Sequence, residues 1–166
     1  MNPPIDTSTP YTAVDVAKAF LERAQIDPDA IQDISNMKLN KLVYFAQLAS
    51  VCLHNKAIHR NDTHAWDYGP VVPKLYRLIK DFGAIAFSLS EEKIAQKFNE
   101  ARKIEEPDFL EAINFVWTRM KELSAVQLSM LTHRRGSPWE IVYNRNRYGI
   151  IPLELMREKK FGDRRK

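Results

Sequence analysis

The side chains that could hold a metal ion or act as a nucleophile are few and scattered. The histidines are His54, His59, His64 and His133. The first three are spaced five residues apart, whereas two metal ligands on one helical face are spaced four residues apart. Cys52, the single cysteine, lies in an apolar stretch without the exposure or positive neighbour that activates a thiol. The sequence also contains no glycine-rich phosphate loop, no Gly-x-Ser-x-Gly motif and no acid spacing that selects a catalytic pair. We therefore expect no metal, no cofactor and no enzymatic activity.

Composition favours one soluble domain. The chain has 166 residues, of which 45% are hydrophobic, enough to bury a core. No apolar run approaches the roughly 18 residues that cross a bilayer, and the first ten residues lack the pattern of a signal peptide. A lone cysteine fits a reducing compartment. These features predict a cytoplasmic protein without a membrane partner.

Positive charge is concentrated near the C-terminus. Residues 133–166 contain ten Lys or Arg against four Asp or Glu, a net of +6, whereas the whole chain carries +4. Such a run is typical of a solvated tail, and it also permits contact with nucleic acid or an acidic partner. A nucleic-acid-binding regulator that uses this basic end is therefore the alternative hypothesis for function.

Any site must be positioned by elements that pack around a central segment, residues 38–54. Their apolar side chains follow helical spacing and fill most of the circumference, which is typical of a buried helix. Ser35 is the expected N-cap. A narrow polar stripe remains, formed by Asn40, Tyr44 and Gln47 with Lys41 beside them. We expect this stripe to face a groove or a neighbouring loop.

Amphipathic helices account for most of the remaining chain. Ile85, Phe87 and Leu89 alternate like a short extended piece near residues 84–90, and Ser90 is placed to cap a helix carrying Ile94 and Phe98. Other predicted helices start at Thr12, Val71, Pro107, Ser124 and Leu153, and end near residues 26, 82, 123, 133 and 161. A further short helix starts at Ser137-Pro138 and carries Trp139 and Tyr143. The predicted fold is all-α, a compact single-domain bundle around the buried central helix, preceded by a flexible arm at residues 1–10.

The segment His64–Pro73 is the most distinctive part of the chain. Trp66 and Tyr68 stand next to Gly69-Pro70, a pair that interrupts regular helix and suits a loop leading into a helix. Trp66 is expected to plug a gap over the central helix, whereas Tyr68 fits either burial or the rim of a groove. Aromatic and arginine side chains are also the types that anchor protein interfaces.

Several of these segments, in order, resemble the Panacea domain, also called the SocA-like or phage-associated GepA-like family. The most specific pieces are residues 37–46 (MKLNKLVYFA) and 65–76 (AWDYGPVVPKLY). Residues 11–17 (YTAVDVA), 123–125 (LSA), 131–133 (LTH), 137–140 (SPWE) and the helix from 151 to 161 support them. The resemblance covers about residues 11–161, which leaves residues 162–166 as a basic tail outside the domain.

The resemblance implies an antitoxin that neutralises a cognate toxin by direct protein–protein binding, either by sequestration or by delivering the toxin to an AAA+ protease. It brings no catalytic residues, and it fixes neither the class of the toxin nor the oligomeric state. We expect the partner surface to combine the polar stripe, the loop and helix at residues 66–77, and the basic corner at residues 133–135. The candidate contact residues are Asn40, Lys41, Tyr44, Gln47, Trp66, Tyr68, Lys74, Tyr76, Arg77, His133, Arg134 and Arg135.

Overall fold

A computed structural model describes residues 3–157 of the protein, which form eight α-helices, one short 3-10 helix and a two-stranded antiparallel sheet. In chain order the elements are α1 (Ala13–Ile26), α2 (Asn36–His54), β1 (His64–Trp66), β2 (Gly69–Val71), α3 (Pro73–Ile79), the 3-10 helix (Lys80–Phe82), α4 (Glu92–Lys97), α5 (Pro107–Met120), α6 (Ala125–Thr132), α7 (Pro138–Arg145) and α8 (Leu153–Arg157). The expected mostly helical, compact fold is confirmed.

Helix α2 is the centre of the bundle. Residues 38–51 are all buried, so the helix is enclosed round its whole circumference over most of its length. Helices α1, α5, α6 and α8 pack against it, and the sheet and α3 cover its N-terminal half. Because most other elements pack against α2, side chains from distant parts of the sequence meet along this helix.

Local capping explains where most helices begin. Thr12 and Asp15 form a reciprocal capping box at α1, as the sequence predicts. Ser35 accepts the backbone N–H of Lys38 at the start of α2, and Ser124 forms a second capping box with Gln127. These contacts satisfy backbone donors that a helix leaves free in its first turn.

The chain between α2 and α3 corrects one expectation. Residues 64–71 form a hairpin in which His64 pairs with Val71 and Trp66 with Gly69, where a loop was expected. Val71 therefore belongs to β2, and α3 begins at Pro73 instead of Val71. Pro70 is tolerated inside β2 because the strand is short and lies at the edge of a two-stranded sheet.

Residues 84–106 correct a second expectation. No strand forms at residues 84–90 in the described part of the chain; Ile85 is 74% exposed, and Phe87 is fixed by a single backbone hydrogen bond to the carbonyl of Ile34. The N-cap position of the following helix is Glu91, not Ser90; Glu91 makes no side-chain capping hydrogen bond, and the helix ends at Lys97. Of the three alternating apolar residues, Phe87 is buried and Leu89 is partly buried, whereas Ile85 is exposed, so they do not share one buried face.

The two ends of the described chain concern the expected N-terminal arm and the expected last helix. Residues 3–10 are not a detached arm, because the backbone of Asp6 exchanges hydrogen bonds with Asn55 and Ala57 and the Ile5 side chain is buried. The helix expected up to residue 161 is described as far as Arg157, and the basic tail at 162–166 lies outside the described residues. Within residues 3–157, no helix has the length and apolar character needed to cross a membrane.

Candidate partner-binding groove

A groove of about 910 Å³ lies between the N-terminal half of α2, the β1–β2 hairpin, α3 and the start of α6. We call it the hairpin groove. Its walls are largely apolar and aromatic, with a few polar groups at the floor. The side chains that define it are Met37, Asn40, Lys41, Trp66, Tyr68, Tyr76, Val126 and Tyr148. The structure thus brings together five of the predicted contact residues, from α2, the hairpin and α3.

Asn40 ties the hairpin to the central helix. Its Oδ1 accepts the backbone N–H of Val72 at 3.1 Å, and its Nδ2 donates to Oδ1 of Asn36 at 2.8 Å. Asn40 is buried, so its amide is used to hold the exit of the hairpin against α2. This contact fixes one wall of the groove relative to its floor.

Lys41 lies at the floor of the groove and is only 1% exposed. Burial alone lowers the pKa of its ammonium group from 10.5 to about 8. Lys38, one turn earlier, is equally buried, but its Nζ donates to Asp33 Oδ1 at 2.6 Å and to the carbonyl of Lys121 at 2.8 Å. Among residues 3–157, no comparable partner reaches Nζ of Lys41.

Gly69 makes room for the Lys41 side chain. Its φ of +118° lies in the region that favours glycine. A Cβ at this position would lie 2.7 Å from Cε of Lys41 and 2.8 Å from Oγ1 of Thr132. The glycine of the hairpin therefore lets the backbone of β2 lie directly on the lysine.

Asp67 holds the tip of the hairpin. Its carboxylate accepts hydrogen bonds from the hydroxyls of Tyr143 (2.6 Å) and Tyr148 (2.9 Å) and from the guanidinium of Arg147 (2.9 and 3.0 Å). The hydrogen bond from Tyr143 is the largest cause that lowers the pKa of Asp67, followed by that from Tyr148. In addition, Trp139 Nε1 donates to the carbonyl of Trp66 at 2.7 Å. The hairpin is therefore anchored to α7 and to the chain that follows it.

Exposed apolar side chains line the rim. Tyr68 is 72% exposed and Val126 is 64% exposed, and Met130 lies one turn beyond Val126 on α6 with similar exposure. Ser129 donates its hydroxyl to the carbonyl of Tyr68 at 2.7 Å, which joins α6 to the hairpin. Trp66 packs edge-to-face on Tyr76 with ring centroids 5.1 Å apart. Clustered exposed apolar side chains of this kind are typical of interaction surfaces.

Other predicted contact residues lie away from the hairpin groove. Tyr44, Arg134 and Arg135 line a second, smaller cavity of about 390 Å³ between α2, α5 and the α6–α7 connection. Tyr44 is buried, whereas both arginines are exposed. Gln47 is 1% exposed; its side chain accepts the N–H of Ile58 and donates to the carbonyl of His59. Gln47 is therefore not an exposed contact; it fixes a neighbouring turn.

The remaining three predicted contacts are also separate from the groove. Lys74 and Arg77 are exposed on α3, with Lys74 at a shallow depression shared with α1 and α4. His133 is half-buried, and its ring lies 3.9 Å from that of Trp139. Its Nδ1 lies 2.5 Å from the carbonyl oxygen of Ser129. His133 therefore helps to pack the α6–α7 corner.

Groups with reactive or metal-binding side chains are engaged elsewhere. Nε2 of His54 lies 2.8 Å from Glu111 and Nδ1 lies 3.6 Å from Asp108, whose other oxygen contacts Nζ of Lys56 at 2.6 Å. His54 on α2 therefore meets Asp108 and Glu111 on α5. The spacing of the histidines in the sequence does not indicate this cluster. Burial raises the pKa of Cys52 to about 11, which opposes a nucleophilic role.

Sequence reasoning missed several groove residues. Asp67 stands within the distinctive aromatic segment, but its partners follow it by about 80 positions, and no periodicity links them. Val126 is visible as an apolar residue in the first turn of α6, and its exposure is set by the packing of that helix. Tyr148 has a φ of +67°, a conformation that the sequence does not signal.

Comparison with known proteins identifies one family. The family model described as "Antitoxin SocA-like, Panacea domain" matches residues 39–140, which include most of the hairpin groove. The chain is 29% identical over 114 residues to the protein named Antitoxin SocA from Caulobacter vibrioides (strain NA1000 / CB15N), and the match covers 67% of this chain and 61% of that protein. No solved structure matches the chain significantly.

Proposed function

The chain belongs to the SocA-like Panacea family of antitoxins, and on that premise we propose that it neutralises a toxin protein by binding it directly at the hairpin groove. The observation that carries the proposal is the meeting of Trp66, Tyr68 and Val126 around one preformed cleft. Large aromatic side chains in such positions are the usual anchors of protein interfaces. The protein acts as a binding module and performs no chemistry on its partner.

The geometry of the groove supports recognition of a peptide segment or helix from the toxin. Its volume of about 910 Å³ is large enough to accept several side chains. The floor is a buried helix and hydrogen bonds hold the walls, which supports a groove that is formed before a partner binds. A preformed site loses little conformational entropy on association.

Co-expression tests the function. The toxin is expected to be encoded next to this chain, so the neighbouring gene product is expressed alone and together with it. We expect growth arrest by the neighbour alone and rescue by co-expression. If the neighbour is harmless alone, or equally toxic with this chain present, the proposed function is wrong.

A single substitution tests the site. Tyr68→Ala should weaken binding of the neighbouring gene product by about 30-fold, the effect of losing an interface anchor worth about 2 kcal/mol. Because Tyr68 is 72% exposed, the substitution should leave stability nearly unchanged. Ile26→Ala is the matched control, since Ile26 is 76% exposed at the end of α1, outside the groove. Equal affinities for both variants would place the interface elsewhere.

Two mechanisms of neutralisation give different results in vitro. Sequestration predicts that the purified protein inhibits its toxin stoichiometrically without any protease. Delivery to an AAA+ protease predicts that inhibition requires ATP and the protease and that the half-life of the toxin falls. We favour sequestration at the groove, because a deep cleft with anchored walls suits a long-lived complex. A toxin that is lost only in the presence of protease would support delivery.

A further inference from the structure

Lys41 stands out because its charge is buried without a counterpart. The side chain is 1% exposed, and within the described residues no hydrogen bond or ion pair reaches its Nζ. A buried ammonium group is costly unless it is paired. The neighbouring Lys38 shows how the same helix satisfies such a group, through Asp33 and the carbonyl of Lys121. Since no partner for Lys41 is present within residues 3–157 and the residue lines the groove, a group of another protein that enters the groove is placed to pair with it.

Lys41 is one of the residues that line the hairpin groove. The backbone of Gly69 lies against the end of this side chain, because a Cβ on Gly69 would be 2.7 Å from Cε and 3.4 Å from Nζ of Lys41. Asp67 is the acidic residue that lines the same cleft, and its carboxylate already accepts hydrogen bonds from Tyr143, Tyr148 and Arg147. Lys80 adds a second positive charge to the lining. The groove thus offers an unbalanced positive charge at the bottom of an aromatic cleft.

We propose that the hairpin groove receives a segment of the toxin in which an Asp or Glu carboxylate pairs with Lys41 while an adjacent apolar side chain packs against Trp66 and Tyr68. This inference rests on the proposed function and adds the chemistry of the partner. A carboxylate supplies the acceptor oxygens that an ammonium group requires. Charge-assisted hydrogen bonds of this kind are stronger and shorter than neutral ones, and they gain strength in a site shielded from water.

Direct binding measurements with the neighbouring gene product test the pairing. Lys41→Met removes the charge and keeps an unbranched side chain of similar volume, one atom shorter than that of lysine. We expect it to raise Kd at least 30-fold. Lys103→Met is the control, because Lys103 is an exposed lysine in the connection before α5 and lies outside the groove. It should leave Kd within twofold of the wild-type value. Thermal unfolding of Lys41→Met verifies that the variant is folded.

A second set of variants identifies the group on the partner. Each Asp and Glu of the toxin is replaced by Asn or Gln, one at a time. One replacement should weaken binding to the wild-type protein at least tenfold and binding to Lys41→Met less than twofold, which is the mark of a direct pair. If Lys41→Met binds as tightly as wild type, or if no acidic residue of the toxin is coupled to Lys41, the inference is wrong.

The outcomes separate this inference from the proposed function. If Tyr68→Ala weakens binding and Lys41→Met does not, the groove is the toxin site and the carboxylate pairing is refuted. If neither variant changes Kd although the toxin binds, the groove itself is the wrong site. If the neighbouring gene product does not bind at all, the proposed function fails before the pairing is tested.

Discussion

Replacing Lys41 with methionine should stabilise the free protein at neutral pH. Burial lowers the pKa of Lys41 from 10.5 to about 8, and one pKa unit corresponds to about 1.4 kcal/mol. The charged amine therefore reduces the free energy of unfolding by about 3 kcal/mol at pH 7. Methionine fills the same space without a charge, so we expect a gain of about 2 kcal/mol, which corresponds to about 4–8 °C in Tm for a chain of this size.

The pH dependence gives the sign of the effect. Between pH 8 and 10.5 the folded protein loses the Lys41 proton while the unfolded chain keeps it, so the stability contributed by this group rises with pH. The advantage of Lys41→Met should therefore shrink when urea unfolding is repeated at pH 9.5.

Lys38→Met is the matched comparison in the same helix. It should lose about 2 kcal/mol, because it leaves Asp33 and a backbone carbonyl without their donor. A Lys41→Met protein less stable than wild type at pH 7 would show that Lys41 is not an uncompensated charge.

Two further perturbations test the groove and the core. Gly69→Ala should lower the free energy of unfolding by about 2 kcal/mol, because it adds strain at φ +118° and a Cβ 2.7 Å from Cε of Lys41. Gly83→Ala is the comparison, because a Cβ at Gly83 has no atom within 4 Å. In the same urea titration, Gly83→Ala should lower the free energy of unfolding by less. Burial lowers the pKa of His59 to about 4, so between pH 6.5 and 4 the unfolded chain binds a proton that the folded protein does not. Stability should fall by up to about 3 kcal/mol over that window. His59→Gln should flatten this slope in unfolding curves at pH 7, 5.5 and 4.5, and an unchanged slope would assign it to other groups.

The helices and their starts could be predicted because their determinants are local. Periodic apolar residues define α2, and Ser35, Ser124 and Ser137 stand where their side chains cap the next helix. The hairpin could not be predicted in the same way. Its strands have three residues each, and one contains Pro70, so no alternating pattern announces it. It is stabilised by contacts to α2 and α7 that are distant in sequence.

The candidate site, like the hairpin, depends on contacts between residues that are distant in sequence. Helical spacing predicts that Asn40, Tyr44 and Gln47 share one side of α2, yet the three residues line three different cavities. What covers each residue depends on the tertiary fold: Asn40 binds the hairpin exit, and Gln47 binds the turn at residues 58–59. The lowered pKa of Lys41 follows from burial under the hairpin, which a sequence pattern cannot display. Exposure of Tyr68, left open by the sequence, is settled by its place at the tip of the hairpin.

The hydrogen bonds that hold the hairpin differ from the environment of Lys41. Asn40, Asp67 and Trp139 hold the hairpin through hydrogen bonds of 2.6 to 3.1 Å, so these contacts need no rearrangement when a partner arrives. Within residues 3–157, no hydrogen bond or ion pair reaches Nζ of Lys41, which lines the groove. A carboxylate that reaches it relieves a cost already present in the folded state, and this relief adds to the apolar contacts at Tyr68. Affinity and stability are therefore linked in opposite directions at one residue: a variant that stabilises the free protein by removing the charge should weaken the complex.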